Sequence, residues 1–189
     1  MRSKLDEELM AELSKKKPSE RKIRELVKQG ADVNSVDENG FDILSIVTRW
    51  AGLGLDNKFL LLLIELGADI NYVNFKYNSC ALKEACLSNN IELTKQYLEM
   101  GAKVNVIFKK FDAGSLLDSV ESNASIAKHF SKIKRTRTNK YLERNDESWK
   151  KRYNEWKETI KLLKKYGAKR SKDIVANKVK KSIKVKKEN

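Results

Sequence analysis

The chain has 189 residues, of which 40% are hydrophobic, and it carries a formal net charge of +14. This length and composition predict one domain with a buried core. Charged residues run through positions 1–12, and the longest apolar run, 59–64, is far too short for a bilayer, so we expect neither a signal peptide nor a membrane span.

The positive charge lies in the C-terminal part of the sequence. Residues 1–123 hold 17 Lys and Arg against 19 Asp and Glu, whereas residues 124–169 hold 15 against 5 and residues 170–189 hold 8 against 2. An excess that is confined to one region indicates a local role for the charge rather than a basic fold.

Two helices are predicted at the start of the chain. Leu5, Leu9 and Leu13 recur every four residues and therefore share one helix face. Pro18 suits the first turn of a second helix, because its missing N–H costs nothing there. The rest of the first helix is polar, as the end of a repeat stack must be.

A Gly-Ala phrase returns along the chain and marks the ends of helices. Its copies lie at residues 26–34, 63–71, 97–105 and, in shorter form, 163–169. The Gly tolerates the left-handed backbone that ends a helix, and the Asn that closes the first three copies suits a turn. The first three glycines are 37 and 34 residues apart, which is typical of stacked helical repeats.

The last repeat differs from the others by an insertion. The interval from Leu117 to Leu163 is 46 residues, against 16 for the matching interval in the preceding repeat. Within the insertion, about residues 124–153, apolar residues return at steps of four and three and predict a helix over about 146–166. We therefore expect the two helices of this repeat to extend into a projecting hairpin whose tip is at residues 134–140.

In its period and its phrase the chain resembles the ankyrin repeat family. That family places a turn and a short helix, written G-x-T-P-L-H-x-A, upstream of the phrase. The matching segments here are 40–47, 78–85 and 115–120, although none keeps the Thr-Pro-Leu-His tetrad intact.

The resemblance implies an all-α ankyrin repeat solenoid of about four repeats. It would carry β-turn or hairpin fingers, and its last repeat would be expanded by the helical hairpin insertion. The ankyrin repeat domain would span residues 1–173, and a basic, disordered tail would follow at residues 174–189. The repeats are expected at approximately 4–36, 37–72, 73–109 and 110–173.

The sequence offers little for catalysis. His129 is the only histidine, and no nucleophile is paired with a base at a meaningful spacing. The Gly-Leu-Gly segment at 52–54 lacks the Lys and Ser/Thr of a phosphate-binding loop. Cys80 and Cys86 have no ligand spacing and suit small buried positions. We therefore predict a protein that is not an enzyme, has no metal site and no cofactor, and works in a reducing, cytoplasmic setting.

The resemblance also implies a protein-binding surface. In ankyrin proteins the hairpin tips and the exposed side of the short helices form a concave face that binds a partner. The matching positions are Glu38, Asn39, Phe41, Arg49, Trp50, Lys76, Tyr77, Ser79, Leu87, Ser88, Phe108, Phe111 and Asp112. Aromatic residues and Arg dominate binding energy at interfaces, so Trp50 and Tyr77 are the expected anchors.

The expected function is that of a monomeric adaptor or inhibitor that holds one protein partner. Small stand-alone proteins that resemble bacterial ankyrin modules include immunity proteins that neutralise toxins. An alternative interpretation is that some of these aromatic side chains only cover the turns and stabilise the stack.

The basic insertion and tail support a second hypothesis, contact with nucleic acid or a ribonucleoprotein. The candidate residues combine positive charge with one aromatic ring. They are Lys134, Arg135, Arg137, Lys140 and Tyr141. Because Lys outnumbers Arg, such contact would be sequence-independent and sensitive to salt. An acidic protein surface, or simply a solvated helix face, would also suit this charge.

Overall fold

The computed structural model describes residues 2–51, 54–108, 114–132 and 146–177. These residues are mostly helical and contain no strand, only three isolated antiparallel bridges, in agreement with the predicted all-α class. The helices are α1 (Lys4–Leu13), α2 (Glu20–Lys28), α3 (Ile43–Ala51), α4 (Lys58–Glu65), α5 (Ala81–Leu87), α6 (Ile91–Glu99), α7 (Leu116–Phe130) and α8 (Asp146–Lys165), and residues 171–177 form a further helical segment. None of the described helices is both long enough and apolar enough to cross a membrane.

The described residues fall into two compact units, an N-terminal unit within Met1–Ala102 and a C-terminal unit within Lys103–Asn189. In the N-terminal unit, α1 packs on α2, α3 on α4 and α5 on α6, and α3 also packs on α5. In the C-terminal unit, α7 packs along α8. Each of these four helix pairs lies within one of the ranges predicted as repeats, whereas the helical segment 171–177 crosses the predicted start of the tail.

The core of the N-terminal unit is built from the apolar faces of its helices. Leu9, Leu13 and Ile23 are fully buried where α1 and α2 meet. The apolar run 59–64 is buried or half-buried at every position, as its lack of a polar face predicts. Since burying one such side chain contributes roughly 1.5–3 kcal/mol, these faces are the main source of the stability of the unit.

The Gly-Ala phrases end their helices in one way. Gly30, Gly67, Gly101 and Gly167 have φ between 82° and 108°, which confirms the predicted left-handed caps. The amide of the following Ala donates to a carbonyl five residues earlier, at 2.9–3.0 Å in all four copies. These bonds satisfy carbonyls that a helix end would otherwise leave without partners.

The Asn of the phrase has a role that the sequence did not predict, because it bonds the backbone of the next phrase. Asn34 donates from Nδ2 to the carbonyl of Gly67 (2.9 Å) and accepts at Oδ1 from the amide of Asp69 (2.7 Å). Asn105 makes the same two bonds to the fourth phrase, at 3.0 and 2.8 Å. Asn71 donates to the third phrase at 3.5 Å.

In the C-terminal unit, α8 (Asp146–Lys165) agrees closely with the helix predicted over about 146–166. It buries Trp156 and Leu163, which are 7% and 0% exposed. The spacing of seven residues places both on one side of the helix, the side that packs on α7.

Two further contacts organise this unit. The rings of Phe130, the last residue of α7, and Trp149, near the start of α8, stack with centroids 5.0 Å apart. The Asp118 carboxylate accepts from the amide of Ser171 at 2.8 Å and so holds the segment 171–177 at the start of α7. The predicted hairpin tip, 134–140, lies outside the described residues.

Replacing Asn34 by Ala should lower the free energy of unfolding by about 1 kcal/mol, because two backbone groups lose their shared partner. Urea denaturation measures this change. Asn154→Ala, at an exposed position on α8, is the matched control and should not lower stability, because Ala favours a helix interior more than Asn does. Equal stability of Asn34→Ala and the parent protein would show that the link contributes nothing.

Glu12 should make stability depend on pH. Its carboxylate is 5% exposed and accepts from Lys15 Nζ and from the amide of Ser19 (2.8 Å). The hydrogen bond from Lys15 is the main reason that the pKa of Glu12 lies below its ordinary value. Since the folded pKa is lowered, this contribution is present above the unfolded pKa of about 4.3. It is lost as the pH falls through the folded pKa.

Glu12→Gln should therefore destabilise the protein by about 1–2 kcal/mol at neutral pH and by less as the pH approaches 3. The measurement is a urea titration of both proteins across this range. A destabilisation that does not change with pH would contradict the assignment of the ionised carboxylate as the stabilising form.

Candidate functional site

The N-terminal unit carries a cluster of aromatic and charged side chains on its surface. The rings of Phe41 and Tyr77 stack with centroids 5.0 Å apart and an interplanar angle of 25°. The Arg49 guanidinium lies 5.1 Å from the centre of the Phe41 ring, and Lys76 Nζ lies 5.1 Å from the centre of the Tyr77 ring. Arg49 is also paired with Glu84 at 3.1 Å. We call these five residues and Asn39 the Phe41–Tyr77 cluster.

Two equivalent turns hold the rings in place. In the first, the Asp37 carboxylate accepts from the amide of Phe41 (2.8 Å). In the second, Oδ1 of Asn74 accepts from the amide of Tyr77 (3.2 Å). Asn74 Nδ2 donates to the carbonyl of Asn39 (3.0 Å) and thereby joins the two turns.

Sequence reasoning missed Asp37 and Asn74, although a signal existed. They are 37 residues apart, the same interval as Gly30 and Gly67, so they occupy equivalent positions of consecutive repeats. Asn74 is 5% exposed, which explains why both ends of its amide have partners: an unsatisfied buried amide would be costly. Tyr72 supports the same turns, because its hydroxyl donates to the carbonyl of Gly40 at 2.9 Å.

The cluster is accessible and held in one arrangement. Tyr77 is 47% exposed, and its hydroxyl donates to the Asn39 side chain at 3.2 Å. Contact between a cation and a ring contributes about 0.5–1 kcal/mol at such exposed sites. An exposed surface whose rings and cation are already ordered loses little conformational entropy when a partner binds.

Trp50, the other expected anchor, has different neighbours. It is half-buried and lines a groove of about 430 Å³ with residues 13–16 at the end of α1 and with Leu55. Arg49, one residue earlier on α3, turns instead toward α5, where it meets Glu84. The two expected anchors therefore belong to two different parts of the surface of this unit.

Two residues predicted to bind a partner are buried in the structure. Ser79 is 3% exposed, and its hydroxyl donates to Glu84 inside the unit. Phe108 is 1% exposed and belongs to the core of the C-terminal unit. Both were chosen by position in the repeat, which does not distinguish a side chain that covers the turn from one that packs beneath it.

The remaining residues predicted to bind a partner differ in how exposed their side chains are. Glu38 and Lys76 are exposed, and Leu87 is 36% exposed. Ser88 is half-buried, and its hydroxyl donates to the carbonyl of Ala85 at 3.0 Å. The other candidates, for protein or for nucleic-acid binding, lie outside the described residues, so those predictions stay predictions. They are Phe111, Asp112, Lys134, Arg135, Arg137, Lys140 and Tyr141.

Neither cysteine is placed for chemistry. Cys80 and Cys86 are unpaired with each other and 3% and 0% exposed, which confirms the prediction that they fill buried positions. Burial raises the pKa of the thiols to about 11 and about 12, so both remain protonated and unreactive at neutral pH. Within the described part of the chain, no group of three His, Cys, Asp or Glu residues could hold a metal ion.

Comparison of the chain with models of protein families gave no match, and comparison with curated proteins gave none. The function of the chain must therefore be inferred from the geometry of its surface. Among the described residues, that geometry singles out the Phe41–Tyr77 cluster, because it combines aromatic rings and an arginine with exposure and order.

The burial of Phe108 can be tested through stability. Phe108→Ala should lower the free energy of unfolding by roughly 3 kcal/mol, because it leaves a cavity in the core of the C-terminal unit. Phe75→Ala removes the same ring from a position that is 52% exposed and should cost much less. Thermal denaturation compares the two variants, and similar losses would contradict the burial of Phe108.

Proposed function

We propose that this chain is a non-catalytic protein-binding module, an adaptor or inhibitor, that holds its partner against the Phe41–Tyr77 cluster. The observation that carries the proposal is the stack of Phe41 on Tyr77 with Arg49 beside the Phe41 ring. Aromatic residues and Arg are the types enriched among the residues that dominate interface energies.

We also propose that the architecture is an ankyrin-type solenoid with a turn between successive helix pairs. Three observations support it. The Gly-Ala phrases share one hydrogen-bond pattern, the Asn links recur between successive phrases, and an antiparallel bridge precedes α3, α5 and α7 in the same relative place. In such a stack each turn presents its tip beside the tip of the next turn, which is how side chains 36 residues apart, such as Phe41 and Tyr77, come to stack.

The charges of the cluster indicate what a partner must offer. Arg49 is balanced by Glu84, whereas Lys76 contacts the Tyr77 ring and Glu38 stands exposed nearby in sequence. A surface with both signs of charge around an aromatic centre suits a partner with an apolar patch and a mixed polar rim. It does not suit a uniformly acidic or basic partner.

Tyr77→Ala should weaken binding of the partner by about 10–100-fold, because it removes the exposed ring of the stack. The partner is first recovered from cells by cross-linking to the parent protein and identified by mass spectrometry. Its affinity is then measured by calorimetry. Met100→Ala, also at an exposed apolar residue (43%) but at the end of α6, is the control and should bind normally.

Trp50→Ala, measured in parallel, determines whether the groove beside α1 belongs to the same interface. The proposal requires a loss for Tyr77→Ala that exceeds the loss for Met100→Ala. Unchanged affinity in Tyr77→Ala, with the protein folded, would overturn the proposed surface.

A further inference from the structure

A groove of about 590 Å³ lies between α7 and α8 in the C-terminal unit. Its walls come from both helices and from the helical segment 171–177. It combines an apolar floor with positively charged edges. The residues that give it this character are Ala124, Lys128, Tyr153, Lys157, Ile160 and Lys172.

The carboxylates at one end of the groove are already engaged. Asp118 accepts from the amides of Ser115 (2.7 Å) and Ser171 (2.8 Å). Glu121 is paired with Lys164 at 3.1 Å and with Arg170 at 2.7 Å. Glu121 therefore balances Lys164 and Arg170, and within the described residues neither carboxylate forms an ion pair with the other lysines of the groove.

Three lysines that line the groove form no ion pair within the described part of the chain. Lys128 Nζ and Lys157 Nζ lie 5.9 and 5.1 Å from the centre of the same ring, that of Tyr153. Within the described part of the chain, no carboxylate lies within ion-pair distance of Lys128, Lys157 or Lys172. Two ammonium groups that share one ring repel each other, so an anion between them would be favoured by both.

The shape of the groove determines which kind of anion fits. Ala124, 5% exposed, and Ile160, half-buried, contribute aliphatic side chains to the lining of the groove. Lysine ammonium groups already approach the Tyr153 ring, so that ring is poorly placed to stack on a nucleic-acid base, which is how most single-stranded sites gain affinity. Carboxylates for the lysines and aliphatic side chains for the floor are both present on one face of an acidic amphipathic helix.

We propose that this groove is a second docking site, which takes an acidic amphipathic helical segment of a partner protein. Its glutamates or aspartates contact Lys128, Lys157 and Lys172, and its aliphatic residues lie on Ala124 and Ile160. The proposal does not rest on the Phe41–Tyr77 cluster, because every residue of the groove belongs to the C-terminal unit. The two sites can therefore fail independently.

Fluorescence anisotropy at physiological salt tests this with three labelled probes. The first is a helical peptide of Glu and Leu with Leu at positions i, i+3 and i+7. The second has each Leu replaced by Gln, and the third is a single-stranded oligouridylate of equal charge. We expect the parent protein to bind the first peptide about tenfold more tightly than either of the others, because only that peptide offers both carboxylates and aliphatic side chains.

Lys128→Glu combined with Lys157→Glu should weaken the binding of the first peptide by at least about tenfold, because two attractive contacts become repulsive. Lys150→Glu combined with Lys161→Glu makes the same change of charge at exposed positions of α8 outside the groove. This control should weaken binding by about twofold or less, since exposed charges at a distance are screened.

Three outcomes would overturn the proposal. One is an equal loss in the two double variants, which would mean that only the overall charge matters. Another is equal binding of the two peptides by the parent protein, a comparison that needs no folded variant. The third is tighter binding of the oligouridylate than of the Glu–Leu peptide, which would assign the groove to nucleic acid.

Discussion

The structure depends on one turn, the Gly-Ala phrase that ends the second helix of each pair. The helices of the N-terminal unit are 7–10 residues long, and isolated helices shorter than about 12–15 residues are marginal in water. They are therefore stable only when packed on neighbours. The left-handed glycine reverses the chain after each pair, and the Asn that follows ties that reversal to the next one. This fixes the spacing at which successive pairs stack.

The same spacing positions the candidate binding surface. Because consecutive pairs repeat at nearly equal intervals, their turns lie side by side, and Asn74 can bond the backbone of the preceding turn. Phe41 lies on one turn and Tyr77 on the next, so their rings can stack. This stacking depends on the position of the turns and does not require a contact between the helices that follow them. The affinity of such a surface comes from rings ordered before binding, which lowers the entropy cost of association.

The two units use their charges differently. In the N-terminal unit the numbers of acidic and basic residues are nearly equal, and several of them form ion pairs, as in the link between Arg24 and both Glu20 and Glu65. In the C-terminal unit, α8 and the residues up to 172 carry ten Lys and Arg against four Asp and Glu, so pairing cannot be complete. Glu121 takes two cations, and the lysines around Tyr153 have aromatic contact instead of a counter-ion. Part of the basic excess thus lines one groove of this unit.

The sequence by itself determined the helices, their ends and the turns between them, because apolar periodicity and glycine caps act within a few residues of each other. It predicted α8 within a residue or two despite the insertion. Only the tertiary structure decided which side chains are exposed and which meet across the chain. Thr48 and Tyr97, 49 residues apart, share a buried hydrogen bond of 2.6 Å, while Ser79 and Phe108 turn inward and Trp50 lies away from Tyr77. A position in a repeat restricts a side chain to one face of an element, but its neighbours in the adjacent repeat determine whether that face is covered.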